Sequence, residues 1–265
     1  MARNYCGFVR KSLKSRAQTP LRSAKSPLFF SLSPGHRRAP VLASGDRTMP
    51  RIPYRNRAEA GRLLAGELAE FQGNSGALLF GVAMGGIAVA AEVSSAFRTP
   101  LQALVVRKLE APTEPALTIG AIAPEGVRLL DDDLIRALGV SEAVVDRVVR
   151  RETAELERQQ RLFERQTIHW KNRTVILIDD AAESGWTMLA ALRFARKHTP
   201  HQIVAACPVA SAAALERLRH DRDRHVFPAV RERFSSLSDW YWNLPRATES
   251  EVVQLLERNR GQANE

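Results

Sequence analysis

Two cysteines in 265 residues, Cys6 and Cys207, are too few for a disulfide framework and lack the spacing of a zinc site. A reducing, cytoplasmic setting is therefore the expectation. The six histidines are scattered without ligand spacing, so a histidine-built metal centre is not expected. No run of 18 apolar residues suggests a membrane span, and no membrane partner is expected. "GVAMGGIAV" (81–89) lacks the G-x-G-x-x-G spacing of a dinucleotide-binding turn, and no G-x-S-x-G nucleophile elbow occurs. Both absences argue against a nicotinamide-dependent oxidoreductase and a serine hydrolase.

Acid is nearly missing from residues 1–48, where Asp46 stands against ten Lys/Arg. That surplus of nine leaves only +1 of the formal +10 for residues 49–265. The basic charge belongs to a tail rich in Ser, Arg and Pro, so it gives no reason to expect the folded part to bind nucleic acid. Two readings of the tail stay open. A translation start placed too early, with Met49 the true beginning, is preferred to an organelle transit peptide, which would make the protein organellar. Residues 49–265 are expected to form one domain.

What is present is alternation. "RAEAGRLLAGELAEF" (57–71) puts Ala58, Leu63, Leu64, Leu68 and Phe71 on one helical face. "ALLFGV" (77–82), the small-residue helix "GGIAVAAEVSSAF" (85–97) and "LQALVV" (101–106) make a parallel βαβ unit. "TVILI" (174–178), a helix from Thr187 to about Lys197 and "QIVAACPV" (202–209) make another. The class is α/β, a doubly wound, mainly parallel sheet. Between the units, "LTIGAIAPEGVRLL" (117–130) alternates like short antiparallel strands. Ser141 then caps a long helix with Val145, Val149, Leu156 and Phe163 near one face and i, i+4 pairs Asp146/Arg150 and Glu157/Arg161. A final amphipathic helix, "ESEVVQLLERNR", closes the chain.

The chemistry concentrates in "VILIDDAAESGWTMLAAL" (175–192). A buried strand ends on Asp179 and Asp180, a loop follows, and a helix begins. Ligands of open parallel sheets collect beyond such strand ends. The helix start suits a phosphate, with Ser184 and Thr187 as hydroxyl donors and Gly185 allowing close backbone approach. The two acids cannot bind that phosphate; they suit sugar hydroxyls or a Mg²⁺ carried in by the substrate. Together they describe a site for a ribose 5-phosphate.

An apolar strand, two acids, three residues and Ser/Thr-Gly-x-Thr resembles the 5-phosphoribosyl-1-pyrophosphate (PRPP) loop of type I phosphoribosyltransferases. "VVRKLEAPTEPALTIGAIA" (105–123), "LLDDDLIRALGVSEAVVDRVVRRETAELERQQR" and "DWYWNLPRATESEVVQLLER" are similar to segments of a bacterial-type branch of that family. The resemblance implies a type I phosphoribosyltransferase fold with a helical insertion or hood, about 109–170. It implies that Asp179 and Asp180 hold the ribose hydroxyls, directly or through substrate-borne Mg²⁺. Ala181, Ala182, Glu183, Ser184, Gly185, Trp186 and Thr187 would wrap the 5-phosphate. Ala83, Met84, Gly85 and Gly86, with Arg107 and Lys108, would receive pyrophosphate. Glu183 stands where purine-salvage members often carry the acid that takes a proton from the base. PRPP and an acceptor base would be the partners, and a homodimer the family expectation.

Four positions depart from the branch's usual pattern. Ala83-Met84 replaces Pro-Arg, Ala181 replaces Gly, Trp186 replaces a small residue, and Thr113-Glu114 replaces Gly-Asn. A lost arginine contact costs about 1.5–3 kcal/mol, and an alanine at positive φ about 1–2 kcal/mol. Trp186 either stacks on a base or plugs the socket. An alternative therefore stands beside the enzyme: a weakened or inactive member that binds PRPP or a nucleotide in a regulatory role.

Overall fold

The computed structural model describes residues 53–163, 168–221, 223–232 and 236–261; the expected tail, 1–48, lies outside them. Helix α1 (Arg57–Glu67) is followed by β1 (Ala77–Val82), α2 (Ala83–Phe97) and β2 (Leu101–Leu104). Then come β3 (Arg107–Ala111), β4 (Glu114–Ala123), β5 (Val127–Leu130), α3 (Asp132–Ala137) and α4 (Glu142–Phe163). The second half holds β6 (Thr174–Ile178), α5 (Trp186–Lys197), β7 (Gln202–Ala206), β8 (Val209–Ser211) and α6 (Ala212–Leu218). Strands β9 (Arg224–Val226) and β10 (Ala229–Arg231) and helix α7 (Glu249–Gly261) complete it.

Five strands form a parallel sheet in the order β2-β1-β6-β7-β9. β3, β4 and β5 form a separate antiparallel sheet; β4 and β5 fall on the expected alternating region, and β3 joins them from before it. The central strand β6 is buried along its whole length, as an unbroken Thr-Val-Ile-Leu-Ile run requires when both sheet faces are covered. Its period of two divides the interior. Ile176 and Ile178 join Leu79 in the core beneath α1, α2 and α7. Val175 and Leu177 join Phe80 and Val82 in the core beneath α5.

Strand order locates the crevice. The chain leaves β1 for β2 on one side and returns to β6 on the other, so the connections diverge between β1 and β6. Their register ends with Gly81 opposite Ile178. The start of α2 and the acids after β6 are thereby set side by side.

Several local expectations change. Leu63 does not face the core; it is 48% exposed, while Leu64 and Leu68 are buried. α2 begins at Ala83 and α5 at Trp186, each earlier than its apolar periodicity indicates. Asp146 pairs with Arg128 of β5 rather than with Arg150, because the edge of the antiparallel sheet brings a closer cation. The expected helix continues to 166 by pattern, and residues 164–167 lie outside the described set. No helix among the described residues is long and apolar enough to cross a membrane.

Candidate functional site

β6 ends at Ile178 and the next two residues are the acids. The Asp179 N–H donates to the Ala206 carbonyl (3.1 Å), which continues the sheet for one more residue and fixes where the carboxylates emerge. From across the crevice α2 comes so close that only glycine fits. A Cβ on Gly85 would lie 2.2 Å from Asp180 Oδ2, and one on Gly86 2.4 Å from the Ile178 carbonyl oxygen. The two glycines therefore let the start of α2 close up against the acid pair.

Asp179 and Asp180 are both buried, and their oxygens are mostly engaged. Asp179 Oδ1 accepts the Asp180 N–H (2.9 Å) and Oδ2 accepts the Thr187 hydroxyl (3.2 Å). Asp180 Oδ2 accepts Nε of Arg57 at 2.8 Å, and the same guanidinium donates through Nη1 to the Pro245 carbonyl (2.6 Å). The Asp180 carbonyl accepts the Tyr241 hydroxyl at 2.7 Å. Asp180 Oδ1 is the one oxygen of the pair with no hydrogen bond among the described residues.

Burial, followed by the neighbouring Asp180 charge, holds the Asp179 carboxyl well above the ordinary carboxylate range. The Asp180 N–H, Lys108 and the Thr187 hydroxyl oppose that shift. Between the ordinary range and the raised value the folded chain keeps a proton that the unfolded chain has released. Stability is thus full below that window and falls as pH rises through it. Asp179→Asn is expected to flatten this slope, read as the urea midpoint of unfolding against pH. A slope unchanged by the substitution would assign the pH dependence elsewhere.

The segment after the acids is pinned from outside. Ala182 bridges to Ala210 of β8, with its N–H on the Val209 carbonyl (2.9 Å) and its carbonyl receiving the Ser211 N–H (2.9 Å). Gly185 then sits at φ +79°, where α5 starts without a side-chain cap. A helix start whose amides have no cap is an anion site in waiting. Ser184 is half-buried and Glu183 exposed, and both line the cleft. Thr187 also lines it, but its hydroxyl is committed to Asp179, so it serves the acid before any phosphate.

Trp186 does not fill the socket. Its ring lies under the Arg217 guanidinium at 4.2 Å, on the α6 side, and the indole packs against the α5 core. Ala181 is not in the left-handed region; the alanine at positive φ is Ala83 (φ 52°), at the turn from β1 into α2. The strain expected of an alanine belongs to the far wall of the crevice.

The cleft so formed has a volume of about 450 Å³ and is lined by Ala83, Met84 and Gly85 from α2, by the acids and their loop, and by Arg107 and Lys108. Arg107 is not free for a ligand: Nε and Nη2 both donate to Glu152 Oε2 of α4 (2.9 and 2.6 Å). Lys108 has no ion pair among the described residues. The sequence reading missed four residues here: Arg57, Glu152 and Arg246 on the cleft wall, and Tyr241 beneath Asp180. Asn56 caps α1 and so places Arg57 at a helix start, but no local spacing ties it to an acid 123 residues away.

Comparison with known proteins assigns the class. A family model described as a phosphoribosyl transferase domain matches residues 54–231. The chain belongs to the phosphoribosyltransferase family. Two Mycobacterium tuberculosis proteins, from strains CDC 1551 and H37Rv, are provisionally named phosphoribosyl transferases and are each 35% identical to it over 207 residues. The match covers 77% of this chain and 46% of each relative, so the chain spans about half the length of the curated relatives it matches. Among solved structures, the crystal structure of TT1426 from Thermus thermophilus superposes with a TM-score of 0.61 at 31% identity. It covers 78% of this chain and 99% of that one.

Proposed function

We propose that this chain transfers the 5-phosphoribosyl group of PRPP to a nitrogen acceptor, a nucleobase, with release of pyrophosphate. One observation carries the reading. An uncapped helix start opened by a left-handed glycine and a pair of buried carboxylates share one cleft, with a second helix start closed onto the acids by two glycines. A sugar phosphate laid between them has its phosphate at the start of α5, its hydroxyls toward Asp180 Oδ1, and its pyrophosphate toward the start of α2 and Lys108.

In the reaction the C1–oxygen bond to pyrophosphate breaks and the electron pair leaves with pyrophosphate. The acceptor nitrogen forms the new bond to C1 and releases its proton, for which the family resemblance points to Glu183 among the carboxylates that line the cleft. Positive charge that develops on the sugar is favoured by the acids beside it.

The donor set fits a Mg²⁺ that arrives on the substrate. Three of the four carboxylate oxygens of the acid pair already accept one hydrogen bond each, so Asp180 Oδ1 is the least engaged of them. No group of three His, Cys, Asp or Glu among the described residues forms a metal cage. A cation carried in on pyrophosphate would supply charge neutralisation of the leaving group and would need no such cage.

A binding-only role has observations of its own: Arg57 occupies one oxygen of Asp180, and Met84 stands at the α2 start where the resemblance expects arginine. Pyrophosphate release from Mg²⁺–PRPP over a panel of bases separates the two. Release that Asp180→Asn reduces at least a hundredfold is the expected result, the size of effect that loss of a transition-state contact gives. Tight PRPP binding with no release for any base would leave the regulatory reading instead.

A further inference from the structure

The carbonyls of the loop after the acids are held almost one by one, and the holders come from outside the cleft. Tyr241 Oη donates to the Asp180 carbonyl at 2.7 Å. The Ser211 N–H donates to the Ala182 carbonyl at 2.9 Å, and Ser211 Oγ to the Glu183 carbonyl at 2.5 Å. Arg217 Nη1 donates to the Ser184 carbonyl at 2.8 Å. Ala181 breaks the series, and the next N–H, that of Ala182, is the one turned back to bond the Val209 carbonyl.

A trans peptide is planar, with its C=O and the following N–H on opposite sides. Pulling the carbonyls of 182, 183 and 184 toward β8 and α6 therefore turns the N–H groups of 183, 184 and 185 the other way. Glu183 and Ser184 line the cleft on that side, and the uncapped first turn of α5 continues the row. Successive N–H groups facing one concavity make an anion nest. Side-chain burial does little to hold residues 183 and 184 in this shape, because Glu183 is exposed and Ser184 only half-buried.

We infer that Ser211 and Arg217 are positioning residues for the phosphate end of the cleft, holding the loop carbonyls outward so that the backbone amides face the ligand. The inference rests on the reading above that residues 181–187 receive a phosphate. Arg217 is itself held on three sides. Its guanidinium lies 4.2 Å over the Trp186 ring, donates to Ser184, and meets Asp131 Oδ2 at 3.4 Å. Asp131 in turn caps α3 by accepting the Leu134 N–H (3.1 Å). The indole that departs from the small residue expected at 186 is thus the shelf on which the tethering guanidinium rests. Arg217 lies outside the cleft lining, so it acts through the loop rather than on the ligand.

The test titrates the protein calorimetrically with ribose 5-phosphate and, separately, with inorganic pyrophosphate. Arg217→Leu keeps aliphatic packing on Trp186 but cannot donate to Ser184. It is expected to weaken ribose 5-phosphate about tenfold, the low end for loss of one hydrogen bond from a charged donor, with pyrophosphate affinity unchanged within about twofold. Arg217→Lys, which retains one donor, should recover most of the loss. Ser211→Ala should shift the same ligand in the same direction, and pyrophosphate binding reports that each variant is folded. Variants that bind ribose 5-phosphate like the wild type would overturn the inference. So would a parallel loss of both ligands, which marks a general structural role. A wild-type protein that binds no ribose 5-phosphate is a separate result: it sinks the phosphoribosyl reading, and the positioning role falls with it.

Discussion

Gly86→Ala is expected to lower the urea midpoint of unfolding sharply and to abolish binding of inorganic pyrophosphate. The new methyl carbon would lie 2.4 Å from the Ile178 carbonyl oxygen and 2.8 Å from the Asp179 Cα. Both are backbone atoms at the end of the central strand, and that strand is hydrogen-bonded on each side, to β1 and to β7. Neither can rotate aside, so α2 must move. Overpacking of this kind costs about 1–3 kcal/mol, and the movement separates the α2 start from the acids. Gly85→Ala tests the same approach at a softer contact. Its methyl would meet Asp180 Oδ2 at 2.2 Å, a side-chain atom that can swing away, but only by leaving Arg57. A smaller stability loss with an equal binding loss is therefore expected there. Gly66→Ala in α1 is the control: a Cβ meets nothing within 4 Å, and stability should rise by about 0.5–1 kcal/mol. Gly86→Ala with the wild-type midpoint would mean that α2 is not seated on β6.

The parts legible in the sequence are those written by short-range pattern. The unbroken apolar run 174–178 announces a strand buried on both faces, and the acids, hydroxyls and glycine after it announce a strand-to-helix turn. Both depend on residues within a dozen positions of one another. The partners of those residues were not legible. Asp180 meets Arg57 across 123 residues and Tyr241 across 61. Arg107 reads as a free cation past a strand end, yet it donates twice to Glu152, which a helix 45 residues later carries to it. Leu63 fits the helical stripe by spacing and still faces solvent, because α2 covers only the part of α1 that presents Gly61, Leu64 and Ala65, while Ala60 packs with Tyr54 and Tyr241. Periodicity gives the face of an element; only the packing of other elements decides how wide that face is.

The pairing of Arg57 with Asp180 yields the second large effect. Their side chains are 14% and 12% exposed, so the pair is nearly buried, and removing one partner strands the other. Arg57→Met leaves the Asp180 carboxylate facing Gly85 and beside Asp179 with no cation in contact. It also drops the hydrogen bond to the Pro245 carbonyl, which ties α1 to the segment before α7. Breaking a buried pair from one side costs about 3–5 kcal/mol, and the low end applies because both residues line a cleft that water enters. Asp180→Asn should cost less, since a carboxamide oxygen still accepts from Nε and Arg57 keeps Pro245. In the double variant Arg57→Met/Asp180→Asn the stranded charge is gone, so part of the Arg57→Met loss should return. A positive coupling of about 1–2 kcal/mol in the cycle of urea midpoints is the expected result. Additive losses would mean that the contact is incidental and that each residue acts through its other neighbours. The cycle also bears on the choice between catalyst and binder. If Arg57 is a stability element, its hold on Oδ2 turns Asp180 so that Oδ1 is presented to the cleft, and the ion pair and ligand recognition coexist. Additive losses would leave the orientation of Asp180 to its other contacts, such as the Tyr241 hydroxyl on its carbonyl.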